Sequence, residues 1–69
     1  RYREAEELIR KALIQMPNDP IVNDHYGDIL WRLDKKLQAK FYWESVLKSK
    51  DADEDLKKKV KAKLLLGLS

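Results

Sequence analysis

The sequence predicts an all-α fold, an antiparallel helix-turn-helix array of four helices. Three observations predict it. Apolar residues recur at steps of three and four along four separate stretches, which is the period of an amphipathic helix. Both prolines fall between positions 17 and 20 and the chain has only two glycines, so helix breakers are few and clustered. No stretch alternates apolar and polar residues over strand length, so no strand is predicted.

From Tyr2 to Met16 the apolar positions are Ala5, Leu8, Ile9, Ala12, Leu13 and Met16, one face of a helix. Glu4, Glu6 and Glu7 come early and Arg10 and Lys11 late, which suits the helix dipole. Pro17 cannot continue this helix and pushes Met16 out of helical geometry, so the helix should end near Gln15. Asp19 then caps the second helix, and Pro20 fits its first position, where a missing N–H costs nothing. Val22, Tyr26, Ile29, Leu30 and Leu33 form its apolar stripe. Gly27 lies inside this helix at a cost of about 1 kcal/mol relative to alanine, and close approach of a neighbouring backbone is the usual compensation. Asp34-Lys35-Lys36 is a polar break. A third helix is expected to about Ser49, with Leu37, Ala39, Tyr42, Trp43, Val46 and Leu47 apolar. Asp51, with Glu54 three residues on, has the spacing of a capping box opening a fourth helix. In that helix Leu56, Val60 and Leu64 recur every fourth residue, and Gly67 offers a C-terminal cap.

Size and composition bound the function. With 69 residues the chain holds one domain and a modest core. Cysteine is absent, which removes disulfides and thiolate metal sites. No apolar run approaches the roughly 20 residues needed to span a bilayer. The chain opens on Arg-Tyr-Arg without a signal segment, and reads as a piece of something longer. The net charge of +3 is unevenly placed, with residues 1–34 acidic overall and residues 35–69 basic. Lys57, Lys58, Lys59, Lys61 and Lys63 supply the asymmetry. A lysine row without arginine suits a solvated helix face better than bidentate phosphate recognition. Nucleic acid and anionic membrane are therefore disfavoured partners, and a basic module binding either one through the fourth helix is the alternative reading.

An internal repeat is present. A shift of 34 places Ala5 on Ala39, Leu8 on Tyr42, Ile9 on Trp43, Ala12 on Val46 and Leu13 on Leu47. Pro17 falls on Asp51, so the turn is kept with a different breaker. The stretch from Pro20 to Asp51 resembles a tetratricopeptide repeat, a family with the same 34-residue period. Tyr26-Gly27 looks like the Leu-Gly pair of the family's first helix, Leu30 sits where the family prefers Tyr, Ala39 matches the small residue of its second helix, and Trp43 takes the place of its Phe. Tyr2, Ala5, Ile9, Ala12 and Pro17 resemble the second half of a preceding repeat. Asn23, Lys36, Val46 and Asp51 depart from the pattern, standing for Trp, Tyr, Ala and Pro. The resemblance is to the closing repeat of bacterial proteins in particular, and so implies a bacterial source. It implies one domain over 1–69: a second helix of a partial repeat at 1–16, a full repeat at 20–50 and a capping helix at 53–67. Ala5, Ala12, Tyr26, Gly27, Ala39 and Trp43 are the packing residues of that scheme.

The residues offer little catalytic chemistry. His25 lies between Asp24 and Asp28 and shares a helix face with Asp28, but one histidine and no cysteine do not complete a metal site. No base–nucleophile pair and no glycine-rich phosphate loop is present. Neither enzyme activity, nor a metal, nor a cofactor is expected. Trp31 lies off the apolar stripe, on the side that also carries Asp24, His25, Asp28 and Arg32. It either anchors a ligand or packs against the fourth helix. The resemblance implies that this side lines a concave peptide-binding groove, with Asp24, Asp28, Trp31 and Arg32 as groove residues. Two aspartates repel a carboxylate, so a basic or mixed ligand with an apolar anchor fits best. The expected function is a protein–protein interaction scaffold that docks a peptide or a neighbouring subunit. A homodimer through the unpaired first helix is the other partnership the pattern allows.

Overall fold

The computed structural model describes residues 1–68 as four α-helices: α1 (Tyr2–Gln15), α2 (Pro20–Arg32), α3 (Lys36–Lys48) and α4 (Glu54–Leu66). No strand occurs among the described residues. The fold is an all-α array of helical hairpins in which sequential helices are neighbours: α1 packs on α2, α2 on α3 and α3 on α4.

Local chemistry sets the helix ends. α1 stops at Gln15, where Met16 caps it by donating its N–H to the Ala12 carbonyl at 2.8 Å and Pro17 forbids another turn. At the start of α2 the Asp19 carboxylate accepts from the N–H groups of Ile21 (2.8 Å) and Val22 (3.2 Å), with Pro20 at the first helical position. Buried Asn23 clamps the same turn: its side-chain amide donates to the carbonyls of Pro17 (3.1 Å) and Asp19 (2.8 Å). α2 closes in a Schellman motif. Asp34 adopts φ 63°, its N–H reaches the Trp31 carbonyl at 3.0 Å, and the Lys35 N–H reaches that of Leu30 at 2.8 Å.

The opening of α4 differs from the sequence expectation. Its N-cap is Asp53, not Asp51: the Asp53 carboxylate accepts the Leu56 N–H at 2.8 Å. Asp53 has the extended backbone (φ −79°, ψ 172°) that aims a side chain at the first turn, whereas the Asp51 N–H donates to Ser49 Oγ at 3.2 Å within the connection. With Asp53 as cap, Glu54 is the first helical residue and Leu56 the third, so no capping box forms. α3 ends where expected, at Lys48 with Ser49 as its cap. Gly67 does cap α4, at φ 72°, and donates to the Lys63 carbonyl at 2.7 Å.

The core lies between α2 and α3. Ala39, Trp43 and Val46 of α3 are fully buried against Tyr26, Gly27 and Leu30 of α2. A methyl at Gly27 would overlap the Trp43 indole at Cδ1 and Nε1 and stand 3.1 Å from the Ala39 carbonyl oxygen. The two helices therefore touch through a residue with no side chain on one and an alanine on the other, and aromatic rings fill the flanks. Tyr26 meets Tyr42 edge-on with centroids 4.7 Å apart, and Trp31 stacks on Trp43 at 5.5 Å. α1 contributes half-buried Ile9 and Leu13 to this core, and α4 contributes fully buried Val60 with Leu56 and Leu64 beside it. Ala5 and Ala12 of α1 are half-buried.

Candidate functional site

Three helices converge on one charged cluster. Asp24 and Asp28 are four residues apart on α2, so their carboxylates share a face one turn apart. Trp43 comes from α3 and donates its indole N–H to Asp28 Oδ1 at 3.1 Å. Lys63 comes from α4, three residues beyond buried Val60, and this spacing turns its side chain from the α3 contact toward α2. Its Nζ stands 2.7 Å from Asp24 Oδ1 and 2.9 and 3.1 Å from the two oxygens of Asp28. Asp24 is buried and Lys63 is largely withdrawn from solvent. Among the described residues no buried side-chain polar atom lacks a hydrogen-bond partner.

Burial by itself would lower the Lys63 pKa. The hydrogen bonds from Asp24 and Asp28 and the charges of both carboxylates outweigh it and hold the ammonium above the ordinary 10.5. Two carboxylates against one ammonium leave the cluster anionic by one charge.

Trp31 sits beside this cluster. One face of its ring stacks on Trp43, its edge lies against Gly67 at the end of α4, and the Lys36 ammonium stands 5.0 Å from the ring centroid. Of the four expected groove residues, the structure thus gathers Asp24, Asp28 and Trp31 under α4, while Arg32 is exposed. His25 is exposed as well. Packing against the fourth helix is the surrounding that Trp31 takes. Sequence reading missed Lys63 as the partner of both aspartates. One signal was available: Lys63 falls on the edge of the Leu56-Val60-Leu64 stripe, whereas Lys58, Lys59 and Lys61 point away from it and are exposed.

A second feature is the outer face of α1. No residue of this helix is buried, although its apolar stripe is well formed. Leu8 is 67% exposed and Tyr2 50%, at the two borders of the stripe, and Ile14 is 75% exposed on the opposite side of the helix. The polar side of the α1–α2 contact is tied down by Glu6, whose Oε2 accepts from the Tyr26 hydroxyl at 3.3 Å and lies 3.8 Å from Lys35 Nζ. Burial, and then the negative charge of Glu6, push the Tyr26 phenol above its ordinary 10.0.

Fold and cluster together define a class, an all-α array of helical hairpins with an ion cluster between its helices. No protein-family model, curated protein or solved structure matches the chain. No helix among the described residues is long and apolar enough to cross a membrane.

Proposed function

We propose that the chain is a non-enzymatic protein–protein interaction scaffold, a tetratricopeptide-like module that docks a peptide or a neighbouring subunit. The observation that carries this reading is the incomplete cover of α1, a 14-residue amphipathic helix without one buried residue, whose stripe of Ala5, Ile9, Ala12 and Leu13 is only half-buried. Leu8 and Tyr2, at the two borders of that stripe, stand largely in water. Burying a side chain of the size of Leu8 contributes about 1.5–3 kcal/mol, so a partner that covers this stripe gains from the contact. The 34-residue repeat supports the same reading, because Ala5, Ile9 and Ala12 repeat the positions at which α3 receives α2. On the other side, Asp24, Asp28, Trp31 and Arg32 are the proposed peptide-contacting residues of α2; Arg32 is exposed, whereas the other three lie under α4 and meet a peptide only when that helix is displaced. The alternative of a basic nucleic-acid or membrane module is weaker, because Lys63 is committed to Asp24 and Asp28 and α4 carries no arginine.

The test is site-specific crosslinking in cells that make the full-length protein. A photo-crosslinker at Leu8 is expected to give discrete adducts, and one at Lys59, exposed on α4, is expected to give none. The same pattern from both positions, or none from Leu8, overturns the reading.

A further inference from the structure

The surface beneath α4 has a polar and an apolar half. Its polar half consists of the Asp24 and Asp28 carboxylates, with the Trp43 indole N–H fixing Asp28 in place. Its apolar half is the side of α3 that buries Val60 completely, together with the Trp31 ring that closes against Gly67. α4 enters from a short connection, residues 49–53. The two halves of its hold differ: its apolar stripe rests on α3, and its tie to α2 is one ammonium plus the Gly67–Trp31 contact.

We propose that the α2–α3 face under α4 is a docking seat for a lysine-bearing amphipathic helix of a partner protein, and that α4 is its built-in occupant, which must lift for the partner to enter. The proposal rests on the interaction-scaffold reading and gives the α2 side a partner class. Charge complementarity selects the occupant. Two carboxylates around one ammonium accept a lysine, reject an acidic side chain and leave a neutral one unable to satisfy both acids. α4 supplies the template: a β-branched apolar residue, a lysine three positions on and a leucine next to it, as in Val60, Lys63 and Leu64. Lys63 thus has a role apart from the other lysines of α4, which leave the helix's outer face charged and solvated.

The experiment uses the full chain and a synthetic peptide of residues 53–68 as the probe. The Lys63→Gln chain, with its latch broken, is expected to bind this peptide at least tenfold more tightly than the wild-type chain. A peptide carrying the same Lys63→Gln change is expected to lose that binding. Equal binding by the two chains, or by the two peptides, overturns the proposal. Should the Lys63→Gln chain fail to fold, hydrogen exchange on the wild-type chain decides the matter. α4 amides are then expected to exchange before those of α2 and α3 and to be accelerated selectively by added salt. Exchange of α4 only together with the whole molecule overturns it. A wild-type dimer that Lys63→Gln abolishes assigns the seat to a second copy and also overturns it. None of these failures touches the Leu8 crosslinking result, so they are distinguishable from failure of the scaffold reading.

Discussion

At the residue scale, Gly27 decides how closely two helices stand. On helix propensity alone, Gly27→Ala gains about 1 kcal/mol. Its methyl, however, would overlap the Trp43 indole and crowd the Ala39 carbonyl. Trp43 has nowhere to move: it is fully buried, stacks on Trp31 and holds Asp28 through its N–H. Overpacking at such a site costs roughly 1–3 kcal/mol, so the net expectation is a loss of up to about 2 kcal/mol. Urea denaturation reads this as a lower midpoint at unchanged slope, and a midpoint at or above wild type refutes the close-approach argument. Gly27 was legible in the sequence because a glycine inside a helix has a known cost and few remedies. Lys63 was not, because it stands among four other lysines and only the placement of α4 separates it from them. Asn23 was equally silent, since its clamp on Pro17 and Asp19 depends on how the turn folds.

At the element scale, boundaries were legible where backbone chemistry allows one solution. Pro17 ends α1, and Asp19 with Pro20 opens α2, because a ring without an N–H restricts both the residue before it and the turn it can join. The start of α4 was ambiguous for the opposite reason. Asp51, Asp53 and Asp55 are all competent caps by composition, and the extended backbone at Asp53 makes the choice. A paired substitution checks it. Asp53→Ala removes the acceptor for the Leu56 N–H and is expected to cost about 1 kcal/mol, with the loss concentrated in α4. Asp51→Ala is expected to stay within about 0.5 kcal/mol, since its carboxylate caps nothing. Thermal unfolding followed by circular dichroism orders the two, and equal or reversed effects would return the cap to Asp51.

At the scale of the whole molecule, the outer helices are fastened to α2 by two protonated groups. α1 is tied through the Tyr26 hydroxyl to Glu6, and α4 through the Lys63 ammonium to Asp24 and Asp28, while α2 and α3 share the apolar core. Both groups hold their proton more tightly in the folded chain than their ordinary values of 10.0 and 10.5. A folded-state pKa above the unfolded value means that the native chain binds more protons in that window, so stability falls as pH rises through it. Both contributions are complete below the ordinary values and are lost in the alkaline range, where the phenol becomes a phenolate facing Glu6 and the ammonium becomes an amine between two carboxylates. The urea midpoint is therefore expected to vary little on account of these groups between roughly pH 7 and 9 and to decline beyond about pH 10. Tyr26→Phe removes the first contribution and should make the decline shallower, leaving the part that belongs to Lys63. Trp31, whose ring lies under the end of α4, reports that remaining part through quenching by acrylamide. Quenching should rise with the alkaline loss of Lys63's charge while much of the helical signal of α2 and α3 persists. A midpoint that holds or climbs through this range would mean that neither proton fastens the outer helices, and that the apolar contacts of Ile9, Leu13 and Val60 hold them alone.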